Sequence, residues 1–427
     1  MEQSDPGLFR NKTTIGTSVL VFWIFAVFLL FQVLQGPLRF VLDSLGLFVI
    51  VYLPKVAMLF AIPILITNRM RTSSGFVITS IVFGLSFAWG LINLGSIQQP
   101  LFGVWMFIPL IFSVLAAQEI TLSDRKYLIL FRILVWLSAG GVILNLFVNF
   151  PWSGASISFG GQNLVASRQW TSNGISRYGG FSSSFFASAQ IIAFALYINA
   201  FSKSKFEVLL TWLIAGTAIT ITTSKGLVIG YILSSLYYLS VLLFSSFKKE
   251  ANKYLRVAWS FVLVLIFAIM VVLPIAAINL SVELSFHSTL SKFLLESFSD
   301  RMTYMWPTSL GLLNGDWHWL VGRGIGGIGT AQQYFELPLY VTGDNLFVYL
   351  TVTFGVMLSF VMLLSTTFGI CKSFISGKIH PLLFPFILVI STYGIFANIV
   401  EDPIAACILG LSIGVVVMNK RNVSELA

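Results

Sequence analysis

Arg168, Arg177, Lys225, Arg301 and Arg323 are the residues of this chain best suited to hold an anion. Each sits among glycines, hydroxyls or aromatics: Arg177 in Arg177-Tyr178-Gly179-Gly180, Lys225 in Thr222-Thr223-Ser224-Lys225-Gly226, Arg301 shortly before Tyr304 and Trp306. A guanidinium fork suits phosphate, because two N–H donors meet two oxygens that share a delocalised charge. Carboxylates are scarce near these positions; Asp43, Asp344, Glu401 and Asp402 are the ones placed to approach them. Cations for phosphate, aromatic faces for sugars and a carboxylate base together suit glycosyl transfer from a lipid-linked donor. Each cation also has a purely loop-folding reading, and residue types alone leave both readings open.

The elements that must position these groups are membrane spans. The chain has 427 residues, of which 57% are hydrophobic and 10% charged. A soluble domain has no use for so much apolar surface. A span needs about 20 mostly apolar residues. Apolar runs occur near 15–34, 45–67, 76–93, 101–117, 127–148, 183–201, 208–222, 227–244, 257–278, 345–368, 381–400 and 403–417. The expected fold is an all-α polytopic membrane protein of about 12 spans, forming one integral domain over 1–427.

Orientation follows from the basic residues. With the N-terminus inside, Arg69, Arg71, Arg125, Lys126, Lys248, Lys249, Lys253, Lys372, Lys378, Lys420 and Arg421 fall on one side, as cytoplasmic loops require. Both termini are then cytoplasmic. Two long loops, 149–182 and 281–343, face outward, the second between the ninth and tenth spans. Their basic residues are not explained by that bias. Arg39, beside Pro37, reads as an interfacial anchor, and Lys55 as a side chain snorkelling outward. Within the second loop, apolar residues recur at helical spacing over 289–313 (Phe293, Phe298, Met302, Met305), which predicts an amphipathic helix along the membrane surface.

Other chemistries fit poorly. Gly324-Ile325-Gly326-Gly327-Ile328-Gly329 matches a dinucleotide fingerprint, yet it lies in an outward loop without the strand and helix that the motif needs. Its glycines instead permit tight turns and close backbone approach to something bulky. His287, His318 and His380 have no second metal ligand at useful spacing. Cys371 and Cys407 are not expected to form a disulfide. The net charge of +9 reads as loop anchoring rather than a nucleic-acid surface.

From about Phe102 to Val417 the sequence resembles the O-antigen polymerase and O-antigen ligase superfamily. The likeness lies in Arg177-Tyr178-Gly179-Gly180 before a Ser-rich span start, and in Arg168 and Gly179 with ten residues between them. It continues through Thr223-Ser224-Lys225-Gly226, Arg301 with Trp306, Leu320-Val321-Gly322-Arg323-Gly324-Ile325-Gly326, and Asp344-Asn345 opening a span. Arg301 to Gly311 is one residue short of the family spacing. Ligases carry a histidine where Asp344 stands, which favours the polymerase branch. The resemblance implies metal-independent polymerisation of undecaprenyl-pyrophosphate-linked repeat units at the periplasmic face of a bacterial inner membrane, with no cofactor. It implies Arg168, Arg177, Lys225, Arg301 and Arg323 on pyrophosphate, and Tyr178, Tyr304, Trp306 and Asn345 on sugar. Catalysis is expected from Glu401, then Asp344, with Arg301. Membrane lipid, a chain-length regulator and a flippase are the implied partners. A ligase, or a flippase or other transporter, is the alternative, although a transporter should show repeat symmetry between its halves. A structural scaffold would not need the arginines.

Overall fold

The computed structural model describes residues 7–67, 74–120, 124–159, 162–172, 174–202, 204–244, 249–279, 288–377, 379 and 383–418. The basic residues Arg69, Arg71, Lys203, Lys248, Lys378, Lys420 and Arg421, with His287 and His380, lie outside them, as does the start of the second long loop at 281–287. The N-terminal half is α1 (Gly7–Val33), α2 (Gln35–Ser44), a 3-10 turn Phe48–Tyr52, α3 (Leu53–Thr67), α4 (Ser74–Asn93), α5 (Gln98–Ala116) and α6 (Arg125–Leu144). Next come α7 (Phe185–Ile192), α8 (Ala195–Phe201), α9 (Lys205–Ile221), α10 (Lys225–Phe244) and α11 (Lys249–Asn279). The remainder is α12 (Thr289–Asp300), α13 (Trp306–Gly311), α14 (Asp316–Val321), α15 (Thr330–Phe335), α16 (Leu346–Phe354), α17 (Val356–Ile375), α18 (Leu383–Gly394) and α19 (Pro403–Met418).

Among the described residues, seven helical segments are long and apolar enough to cross a membrane: Gly16–Val33, Phe48–Thr67, Gln98–Ala116, Arg125–Leu144, Lys225–Phe244, Lys253–Asn279 and Val356–Ile375. The chain is a helical membrane protein. Two predicted runs are not single helices. The run 183–201 is broken into α7 and α8 around Ala193 and Phe194, and 345–368 is broken into α16 and α17 at Gly355. Gly355 has φ 84, and its Cα lies against the Leu320 carbonyl, so only a residue without a Cβ fits there. One apolar core joins the spans, with Phe112, Tyr127, Tyr197, Trp306, Tyr349 and Phe384 among its most buried side chains.

One loop adds short strands to the all-α framework. Loop 149–182 folds into two hairpins, β1 (Ser156–Phe159) with β2 (Gln162–Val165) and β3 (Trp170–Ser172) with β4 (Ile175–Arg177). The first rests on α2 and the 3-10 turn through Phe48, Ile157 and Ala166. In the second, Trp170 pairs with Arg177. These are short polar ladders closed locally, which a hydrophobic-run reading does not detect.

In the second long loop, the predicted helix over 289–313 forms as α12 and α13. It opens with a reciprocal Ser288–Ser291 cap and is interrupted by a π-helical turn, Arg301–Met305. It does not lie free on a surface: Met302, Trp306 and Leu310 are buried against the bundle. The Gly322–Gly329 segment is buried, non-helical backbone threaded against α4 and α5. Its polar groups are met one by one. Trp89 Nε1 donates to the Gly322 carbonyl (2.9 Å), Asn93 Nδ2 to the Arg323 carbonyl (3.2 Å) and Gln99 Nε2 to the Gly326 carbonyl (3.0 Å), while Ile325 N–H donates to the Ser86 carbonyl (3.3 Å). The bulky partner anticipated for these glycines is therefore the protein's own helices.

Gly324 has φ +90, and a Cβ there would lie 2.5 Å from Gly90 Cα. Gly324→Ala should destabilise the protein by about 1–3 kcal/mol from the backbone alone, and by more from the clash. Gly311→Ala, where a Cβ meets nothing within 4 Å, should be neutral or slightly stabilising. Thermal unfolding of the two purified variants in one detergent checks the contrast.

Candidate functional site: a cation cluster around Arg301

Three of the sequence-selected cations converge. Arg177 ends β4, Lys225 opens α10, and Arg301 occupies the π-helical turn; each is in electrostatic reach of the others. The π turn positions Arg301. From there the guanidinium reaches two other segments, the Phe396 carbonyl and Asp344. Arg301 Nη1 donates to the Ser297 carbonyl (2.7 Å), Nε to the Phe396 carbonyl (3.2 Å) and Nη2 to Asp344 Oδ2 (3.1 Å). A guanidinium has five N–H donors, so it can still donate to a ligand.

Arg177 is less committed. Its guanidinium carbon lies 5.1 Å from the centre of the Phe185 ring, its Nε is buried without a partner, and no carboxylate pairs with it among the described residues. Burial, and then the like charge of Arg301, pull it below the usual guanidinium range. It stays charged at neutral pH. Lys225 Nζ donates to the Phe293 carbonyl and lies 4.9 Å from that ring's centre. The turn before it is strained: Thr223 has φ 54, rare for a β-branched residue. The hydroxyls of Thr223 and Ser224 are buried without partners. Strain and unsatisfied hydroxyls beside converging cations are features of a ligand site.

The two candidate carboxylates differ. Asp344 precedes Asn345, which caps α16 through the Val348 N–H (3.1 Å) and donates to the Met270 and Ile395 carbonyls. That fixes Asp344 against Arg301 with its side chain 30% exposed, open enough to meet a substrate. Burial raises its carboxyl above the usual aspartate range, and Arg301 opposes the rise. Glu401 is occupied. Thr330 donates to it from N–H (2.9 Å) and hydroxyl (2.8 Å), and Tyr349 from its phenol (3.4 Å). It caps the N-terminus of α15 and lies against Gly329. Burial raises it too, opposed by the Thr330 bonds. Asp402 caps α19 and accepts from Gln190 Nε2 (2.6 Å). Tyr340 lies in reach of Glu401, Asp344 and Arg168.

Four sequence assignments change. Trp306 is fully buried and donates through Nε1 to the Asp344 carbonyl, so its ring cannot stack on a sugar. Asn345 is equally buried and spends its amide on the fold. Arg323, 8% exposed, donates to the Gly327 carbonyl and pairs with Glu336 at 2.7 Å, which closes the glycine turn instead of facing a ligand. Arg168 lies at the same open end of the β3–β4 hairpin as Arg177, two residues before Trp170, but it is exposed, and its charge meets Arg39 rather than the cluster. Tyr178 packs partly against the core, while Tyr304 is 63% exposed and remains open to a sugar. Sequence reasoning undervalued Arg39 and Lys55. Lys55 does not snorkel: its Nζ lies 4.8 Å from the Trp105 ring centre, with Glu401 in electrostatic reach. The signal was present, since both are outward basic residues that orientation alone does not require. Among the described residues there is no cluster of His, Cys, Asp and Glu able to hold a metal ion.

Glu401→Gln should destabilise the protein, because an amide NH2 would face the Thr330 donors. The expected cost is about 1–3 kcal/mol, read as a lower unfolding midpoint, with Asp402→Asn weakening the Gln190 contact in the same assay. Unchanged stability of Glu401→Gln would release Glu401 from its capping role. No family model matches the chain, and no curated protein matches it.

Proposed function

We propose that this protein is a membrane glycosyltransferase that polymerises undecaprenyl-pyrophosphate-linked oligosaccharide repeat units, as the sequence resemblance implies. The observation that carries the reading is the gathering of Arg177 and Lys225 about Arg301, which itself pairs with the partly exposed carboxylate of Asp344. In this reaction the bond from the donor's anomeric carbon to diphosphate oxygen breaks. The three cations stabilise the charge that develops on the leaving diphosphate, as fixed donors do. A hydroxyl of the incoming repeat unit forms the new carbon–oxygen bond, and its proton passes to Asp344. Diphosphate is already a good leaving group, so the step needs no strong acid. Asp344, which accepts from fewer donors than Glu401, takes first place as the base; Glu401 supports the start of α15. Tyr304 offers a face to sugar.

The setting is a bacterial inner membrane, with both termini cytoplasmic and both long loops periplasmic. A flippase would supply the lipid-linked unit and a chain-length regulator would act on the product. A cysteine introduced at Asn314 should then react with an impermeant thiol reagent in intact cells, and protection there reverses the orientation.

Purified protein given a lipid-linked repeat unit should produce a ladder of longer glycans. Asp344→Asn should slow the ladder by about 10²–10⁴-fold, and Arg177→Ala by about 100-fold or more. Because burial raises the Asp344 carboxyl, the base becomes protonated, and the rate falls, at a pH above the ordinary aspartate value of about 3.9. A pH–rate profile of the wild-type enzyme reads that limb. Wild-type turnover in Asp344→Asn removes Asp344 from the mechanism.

A further inference from the structure

Most tryptophans of this chain are spent on the fold or carried on helices. Trp89, Trp152, Trp212, Trp259 and Trp306 each donate the indole N–H to a carbonyl or hydroxyl of the protein. Trp170 instead stands in a strand, β3, and is 49% exposed. Among the described residues its ring stacks on no other ring and its indole N–H meets no acceptor. Its hairpin is fixed to the bundle at the open end. The Arg168 N–H donates to the Ser183 carbonyl (2.9 Å), Ser167 Oγ to the Ser182 carbonyl (2.8 Å) and Ser183 Oγ to Gln35 Oε1 (2.6 Å). Trp170 is therefore held at a tied base, and the tip lies further out at Gly174, with φ 76. In the ladder Trp170 is directly opposite Arg177. Opposed residues of an antiparallel pair project from one face, with Cβ atoms about 4.5–5.5 Å apart. The indole and the guanidinium thus stand side by side. The guanidinium lies over Phe185 at 5.1 Å and not over the indole, so the indole face is left open.

We propose that Trp170 is a specificity-determining residue, its indole the platform on which the pyranose attached to the diphosphate at Arg177 stacks. The inference rests on the reading of Arg177 as a diphosphate ligand. A pyranose carries its hydroxyls at the rim and C–H groups on its faces. An aromatic ring packs on such a face, and the indole N–H can donate to an oxygen at the rim. The sugar bonded to a phosphate lies next to that phosphate, so its platform must adjoin the phosphate ligand. The cross-strand pair meets this condition. A tryptophan that faces lipid has apolar neighbours, whereas Trp170 is flanked by Arg168, Gln169 and Thr171 and paired with Arg177. Stacking favours pyranoses with equatorial hydroxyls, whose faces show only C–H groups, over those with an axial hydroxyl on the stacked face.

The test is calorimetric titration of the purified full-length protein in detergent with two probes that differ by the pyranose, glucose 1-phosphate and inorganic phosphate. Wild type should bind the glycosyl phosphate at least about tenfold more tightly than phosphate. Trp170→Ala should abolish that preference and leave phosphate binding unchanged, and Trp170→Phe should keep part of it. Arg177→Gln should weaken both probes, which tests the diphosphate reading separately. A wild-type preference in Trp170→Ala, or no preference in wild type, overturns the proposal while a weakened Arg177→Gln still supports Arg177 as the phosphate ligand. Wild-type phosphate binding in Arg177→Gln overturns the diphosphate reading and this inference with it. In nanodiscs, the emission lost in Trp170→Phe should not be quenched by brominated acyl chains; quenching of that component places the indole in lipid and overturns the proposal.

Discussion

Buried backbone that is not helical must find a hydrogen-bond partner for each polar group, and water cannot supply it within a membrane protein. The Gly322–Gly329 segment imposes that requirement on this fold. Trp89, Asn93 and Gln99 meet its carbonyls, Ser86 takes its N–H, and Glu401 takes the N–H of Thr330 where α15 begins. These partners come from α4, α5 and the turn before α19, so satisfying one loop fixes three elements that are distant in sequence. Arg323 completes the arrangement by bonding inside the turn and to Glu336. The glycines are required because the backbones touch.

The cation cluster depends on that frame. Phe396, whose carbonyl accepts from Arg301, belongs to the same α18–α19 connection that carries Glu401 and Asp402. Asp344 is fixed by the cap that Asn345 builds on α16. Arg301 therefore ties the long loop to two rigid anchors, and Arg177 and Lys225 are added from the first loop and the α9–α10 turn. The cluster carries an imbalance of charge: Arg301 pairs with Asp344, and Arg177 has no carboxylate among the described residues.

Much of the helical framework was legible because each span is a long apolar run. The breaks near Ala193 and at Gly355 were not, since apolar composition continues across them and only tertiary contact ends the helix. The hairpins of 149–182 were missed because their strands are too short and polar to alternate visibly. In the site, Arg177, Lys225, Arg301 and Asp344 were readable from charge in a place where charge is scarce. Trp306, Asn345 and Arg323 were misassigned for one physical reason: a residue type states what a side chain can bind, while burial decides whether a ligand can reach it. Glu401 exchanged rank with Asp344 on the same ground, because its lone pairs are already in use.

The π turn at Arg301–Met305 makes the register of the loop a discrete quantity. Such a turn holds one residue more than an α-helix of the same rise, and each residue of an α-helix advances about 100°. Loss of a single codon within it would restore an unbroken helix. Trp306 and Leu310 would keep their buried seats, since they anchor the far side, and the face carrying Arg301 would rotate away from Asp344 by roughly that angle. The chain could thus gain or lose its engaged arginine by one in-frame insertion or deletion, with the bundle beneath it unchanged.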